Sequence, residues 1–353
     1  MRLLRMERLG AWAEAWDELS GSAPLPTPFM RSWWVDHAAE GEPAILLCVD
    51  DDGGLAGGAA FEVDRVGRGA ASVERVRCLG QGTLAPDHLD VLSAPGRRRE
   101  VLGAVGRWLA RGDRVIDLDG LGEGCELPHL LGAGVLARVP APYLTLSGDD
   151  PVAALPGRLR STVTRSTKRL AKAGFHATPV EPARAGEALD TLLRLHDDRW
   201  SEDSGFSGGW SRFRAAAVAG MAAGEVVVHE LADDSGTVIA TELEMVAGRR
   251  VAFYQAGRLT DHDYRGSGSA LKGAVLRWAS GRGFTEFDLL RGDEPYKHEW
   301  ATGTRHVIRA RTGVGPRGRA VAAAANLWWA RAPQVLGAVD RLRGRRDAGP
   351  SEG

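Results

Sequence analysis

The run Arg265-Gly266-Ser267-Gly268-Ser269-Ala270 sets one guanidinium at the head of five small residues. Small residues let the backbone turn tightly and come close to a ligand. Before it, Val251 to Gly257 is apolar, aromatic and β-branched, as a buried strand is. After it, Ala270, Leu271, Ala274, Val275 and Trp278 recur at three- and four-residue spacing, one face of a helix. A strand, a glycine turn and a helix N-terminus present unpaired N–H groups and partial positive charge, so they suit an anion, most naturally phosphate. Glycines also serve turn geometry alone. The run is not a Walker loop, because no Gly-Lys-Ser/Thr follows, and it lacks the third glycine of a dinucleotide fingerprint.

Other residues could move protons. Glu242 and Glu244 alternate with Leu243 and Met245, which puts both acids on one face of a strand, lining a cleft or meeting solvent. His196, in Leu195-His-Asp-Asp-Arg-Trp200, titrates near neutrality. Asp293 and Glu294 follow the next strand and are further candidate bases. The nine histidines form no HxxxH or HExxH pair, and three cysteines (Cys48, Cys78, Cys125) are odd in number and widely spaced. No metal site is expected, and the thiols read as reduced and buried, which suits the cytoplasm.

Strands interleaved with helices must carry these groups, so the class is α/β with mixed sheets. At 353 residues two domains are the prior. Hydrophobic content of 44% and charged content of 26% are those of a soluble globular chain. No apolar run approaches the roughly 20 residues of a membrane span, and no signal peptide is evident. Pro140 to Pro156 marks a boundary, giving domains at 1–145 and 155–315. Residues 316–353 read as a basic helix, Arg319 to Arg345, with a disordered tail; that helix packs on the domain or contacts a membrane surface. Residues 1–150 carry 15 Lys+Arg against 23 Asp+Glu, whereas 151–353 carry 30 against 23. A basic second half suits a polyanionic ligand, either CoA or RNA. No internal sequence repeat stands out.

The second half resembles the GNAT N-acyltransferases. Arg265, Gly268 and Ala270 match their pyrophosphate loop, Arg/Gln-x-x-Gly-x-Gly/Ala, between a strand and a helix as that family requires. Leu195 to Trp200, Phe287 to Trp300 and the basic helix ending Arg169-Leu-Ala-Lys-Ala-Gly174 resemble the CelD-like subgroup, which is related to Fem-type aminoacyltransferases. The likeness covers about residues 155–315. It implies two tandem GNAT-like folds, of which only the second holds the donor, since the first half has no such loop.

The resemblance also implies roles. Acetyl-CoA or another acyl-CoA would be the co-substrate, held by Arg265, Gly266, Ser267, Gly268, Ser269 and Ala270. Backbone groups of Gln255, Ala256 and Gly257 would meet the pantetheine and the developing oxyanion. Tyr296, in the helix after the next strand, would be the acid, and Lys297 would bind phosphate or polarise the carbonyl. Glu242 or Glu244 would be the base. His196, Arg199, Trp200, Arg291 and Asp293 would meet the acceptor, an amine of a small metabolite, amino sugar or peptide. No DNA partner is expected. The alternatives are a Fem-like enzyme using charged tRNA, with the basic helix Arg160 to Lys172 on RNA, and a non-catalytic acyl-CoA-binding protein in polysaccharide assembly.

Overall fold

The computed structural model describes residues 1–67, 69, 72–148, 150–200 and 207–329, with the backbone alone at 198–200 and 207. The first half runs β1 (Arg2–Met6), α1 (Ala13–Gly21), α2 (Ser32–Val35), β2 (Glu42–Val49), β3 (Leu55–Val66), β4 (Val73–Cys78), β5 (Leu92–Ser93), α3 (Arg98–Leu109), β6 (Arg114–Gly122), α4 (Leu127–Leu130) and β7 (Gly134–Thr145). After α5 (Gly157–Lys172) come β8 (His176–Pro179), α6 (Ala185–Trp200), α7 (Trp210–Ala222), β9 (Val226–Ala232), β10 (Val238–Ala247), β11 (Arg250–Arg258), α8 (Ser267–Gly281), β12 (Glu286–Asp288), α9 (Pro295–Trp300) and β13 (Gly303–Val314). A further helix, α10, occupies 315–329 and packs Ala322 against Val73 and Val115. The rest of the expected C-terminal helix and tail lies outside the described residues.

Setting β5 and α5 aside, the order β–α–α–β–β–β–α–β–α–β occurs twice. The chain is thus a tandem of two GNAT-like halves, a repeat of structure that the residues do not advertise. The two halves share one sheet, ordered β1-β2-β3-β4-β6-β13-β7-β12-β11-β10-β9-β8. Each half lends its last strand to the other: β13 lies antiparallel to β6, and β7 antiparallel to β12. The stretch from Pro140 to Thr145, expected to be a patternless boundary, is therefore strand in the middle of the sheet. A division at 145–155 remains our proposal for the sequence, and it separates two chain segments but not two sheets.

The core follows the same interlocking. Trp33, Trp34 and Phe29 of the first half pack in one cluster with Leu189, Leu192, Phe213, Leu243 and Met245 of the second. A second cluster joins β7, β12 and α8 through Leu144, Phe287, Leu271, Val275 and Leu276. On β10 the alternation works as strand geometry dictates: Leu243 and Met245 enter the first cluster, and Glu242 and Glu244 take the opposite face, toward α8.

One departure from regularity opens the sheet. Parallel β11 and β12 pair only over Arg250–Ala252 with Glu286–Asp288. Beyond that, Leu289 and Gly292 donate N–H groups to Pro142 and Pro140 on β7, whereas β11 continues to Arg258 beside β10. Residues 253–258 thus lose their β12 neighbour. A bulge between Leu243 and Glu244 sets Tyr254 as the extra residue of β11 and bends the strand there. In the first half β4 and β6 part in the same way after pairing at 74–77 with 114–117, but the gap is filled by the chain itself. Leu89 bridges parallel to Leu121, donating N–H to Gly120 O and accepting from Gly122 N–H, both at 2.9 Å.

Candidate active site

The turn ahead of α8 is built for its place. Gly266 caps the helix at φ +82°, a conformation that favours glycine, and a Cβ there would fall on Ser166 Oγ. Arg169 of α5 clamps the turn by donating to Asp263 O at 2.7 Å and to Arg265 O. The first intrahelical bond runs from Ala270 N–H to Gly266 O. The amides of 267–269 then stand in the first turn, where a helix has no partner of its own to offer. At Gly268 a Cβ would meet only the flexible Arg258 side chain, Cδ at 3.5 Å and Nε at 3.9 Å, so the protein's own packing does not demand glycine there.

This turn and the unaccompanied edge of β11 border a cavity of about 1440 Å³. Of the residues expected to hold a cofactor, Gln255, Ala256, Gly257, Arg265, Gly266, Gly268 and Ser269 line it. Two do not: the Ser267 and Ala270 side chains are buried under the helix and can offer only backbone. Ala256 N–H already donates to Gln255 Oε1 at 3.0 Å. Gly257 has a packing reason as well, because a Cβ there would meet the Leu195–His196 backbone of α6 at 2.7 Å.

The proton-transfer candidates divide. Glu242 lines the cavity and is buried, so it does not meet solvent as an exposed face would. Its Oε1 accepts from Lys272 Nζ at 2.7 Å. Burial pushes the Glu242 carboxyl up to about 7, with the Lys272 ammonium pulling the other way. Glu244 is wholly buried outside the cavity, beside His229 Nδ1 at 2.7 Å, so it is not a base for this site. Tyr296 lines the cavity from α9 and is 43% exposed.

The remaining candidates are partly committed elsewhere. Lys297 lines the cavity, but it is no surface lysine: its buried ammonium donates to Arg291 O at 2.5 Å and lies 3.2 Å from Glu294. Arg291 also lines it, yet its guanidinium is spent on Asp87, on Asp119 at 3.0 Å and on Pro86 O at 2.5 Å, which leaves it a structural tie and not an acceptor ligand. Asp293 stands outside the cavity, paired with His298 at 2.7 Å. His196 lines the cavity, buried, with Asp197 at 3.3 Å. The side chains of Arg199 and Trp200 lie outside the described residues.

Several lining residues were not anticipated. Thr83, Leu84, Ala85 and Asp87 bring the first half to the cavity wall, with Tyr254 O–H donating to Leu84 O at 2.9 Å. Arg158, together with Arg258 and Arg265, gives the wall three guanidinium groups that pair with no carboxylate of the described residues. Lys272 had a visible signal, as the one cation in the apolar run that opens α8. Among the described residues no group of three or more metal-ligating side chains gathers, and no helix is long and apolar enough to cross a membrane.

Residues 157–298 match the family model of the acetyltransferase (GNAT) domain. This stretch therefore carries the GNAT acetyltransferase pattern, and the class of enzyme it supports is the N-acyltransferases. Among solved structures the protein resembles FemX, with a TM-score of 0.62 at 12% identity over 87% of this chain and 97% of that one. It also resembles a conserved protein of unknown function from Bacteroides thetaiotaomicron (TM-score 0.57, 11% identity, 88% and 99% covered). A third likeness is to the C-terminal domain of a lysylphosphatidylglycerol synthetase homologue from Agrobacterium fabrum (TM-score 0.51, 13% identity, 85% and 91% covered). At these identities the likeness is one of fold. No curated protein matches the sequence.

Proposed function

We propose that the protein transfers an acyl group, in the first instance acetyl, from acyl-CoA to an amine of a small metabolite, amino sugar or peptide. The observation that carries this reading is the meeting, in one cavity, of the open β11 edge, the first turn of α8 and three arginines with no carboxylate partner among the described residues. Helix amides with Arg158, Arg258 and Arg265 suit a ligand of several phosphates. A cavity of about 1440 Å³ has room for such a donor and an acceptor together.

The chemistry is direct attack. The amine nitrogen bonds to the thioester carbon, the C–S bond breaks, and the thiolate leaves with the electron pair. Glu242 takes the proton the amine sheds, directly or through water, and Tyr296 supplies one to the sulfur. Both side chains line the cavity, and positioning them beside the reactants supplies much of the rate. Three buried free thiols fit a reducing compartment such as the cytoplasm. Calorimetry with acetyl-CoA, followed by thiol release over a panel of amines, tests the proposal; a protein that binds neither CoA nor its acyl forms would sink it.

One observation favours a second reading. Arg158, Arg160, Arg165, Lys168, Arg169 and Lys172 are all exposed on α5, beside the cavity, and such a face suits RNA. A Fem-like enzyme would then draw its acyl group from charged tRNA. Activity that survives ribonuclease and requires acyl-CoA excludes it.

A further inference from the structure

We infer that Lys272 is a positioning residue for the proton acceptor of this site: from the second turn of α8 its ammonium holds the Glu242 carboxyl at the cavity wall in ionised form. The inference rests on the proposed acyl transfer and adds a residue that the motif does not contain. Both side chains line the cavity and both are buried, Lys272 at 7% and Glu242 at 2% exposure. A buried ammonium is costly unless it is paired. Here Nζ lies 2.7 Å from Glu242 Oε1, 3.4 Å from the centroid of the Phe253 ring and 5.2 Å from that of Phe287. The rings flank the ammonium, and Glu242 is its one ionic partner among the described residues.

The charged surroundings of Glu242 come from several elements. Its own strand adds Glu244, two residues on, which disfavours a second negative charge. Strand β9 adds His229, held against Glu244. Helix α6 brings His196 to the cavity, and β11 brings Arg258 and Tyr254. Among the described residues, Lys272 is the cation in direct contact with the carboxylate. Burial raises the Glu242 carboxyl, Lys272 lowers it, Glu244 raises it and His229 lowers it.

The sign follows. A base works in its ionised form, so activity rises with pH through the titration of Glu242. Without the Lys272 ammonium that titration moves to higher pH, and less of the base is ionised at neutrality.

Infrared difference titration reads the carboxyl without requiring the acceptor, with Glu242→Gln identifying the band. In Lys272→Met the midpoint is expected to rise by about one pH unit or more, which from a parent midpoint of about 7 leaves roughly fivefold less ionised base at pH 7. Lys272→Arg keeps the charge and should stay near the parent value. With acetyl-CoA and an arylamine already neutral below pH 7, the acid limb of kcat/KM should move with the band. The double variant Glu242→Gln/Lys272→Met leaves no buried charge alone and should be no slower than Glu242→Gln. An unmoved midpoint in Lys272→Met, or a moved midpoint with an unmoved limb, overturns the assignment. Failure of the parent protein to bind acetyl-CoA would instead remove the acyl-transfer reading and leave the titration result standing.

Discussion

Arg291 donates its backbone N–H to Asp87 Oδ2 at 2.6 Å and its Nε–H to the same carboxylate, joining residues 204 positions apart. Asp87 is fully buried, and the tie holds the segment Thr83–Asp87 of the first half over the cavity of the second. Breaking one partner of a buried pair strands a charge. Arg291→Met is therefore expected to lose about 3–5 kcal/mol in urea denaturation. A loss below about 1 kcal/mol would show that the halves do not depend on this tie.

The two glycines of the turn should part company. Gly266→Val forces a branched side chain into a left-handed position against Ser166, and should lower the thermal midpoint. Gly268→Val has room within the protein but would intrude on whatever the helix amides hold. Acetyl-CoA should bind it at least about tenfold more weakly, about 1.4 kcal/mol, at nearly unchanged melting temperature. Equal affinity by calorimetry would contradict the phosphate assignment.

Tyr296→Phe removes only a hydroxyl from a half-exposed ring on α9. Turnover should fall by about 10²–10⁴ at constant donor affinity, the range for loss of a general acid. Stopped-flow thiol release measures this, and unchanged turnover would strike Tyr296 from the mechanism.

Donor stoichiometry should be one per chain. The opening in the first half is already filled by Leu89, paired with Gly120 and Gly122, whereas the edge at 253–258 is open. Two equivalent acetyl-CoA sites by calorimetry would contradict the assignment of the donor to the second half.

Asp288 gives a pH test of the fold. Burial works against its ionisation, yet His88 and Arg250 hold it down at about 2. An unfolded carboxyl titrates near ~3.9, so this stabilisation is present above about pH 4 and lost as pH falls toward 2. Its size is on the order of 2–3 kcal/mol. Urea midpoints should drop across that window, and in Arg250→Met the drop should shrink. An identical acid profile in the variant would refute the cause.

Local signals were readable from the residues alone. The β11–turn–α8 unit is set by β-branched and aromatic residues, then glycines, then a helical period, all within about thirty positions of chain. Strands interleaved with helices could be read along the chain, whereas the tandem of GNAT-like folds was implied by the resemblance alone. Glu242 and Glu244 could be nominated from strand alternation, and Tyr296 as the acid from the resemblance.

What escaped was decided by contacts between distant segments. The strand from Gly134 to Thr145 carries two prolines and little alternation, and it becomes a strand because β12 and β13 flank it. Glu242 and Glu244 look alike along the chain, yet one faces the cavity beside Lys272 and the other is sealed against His229. Arg291 resembled an acceptor ligand until Asp87 and Asp119, about 200 and 170 positions away, claimed its guanidinium. Short-range periodicity determines an element and its apolar face. Which element fills the opposite side depends on closing loops of many residues, and no local pattern encodes that.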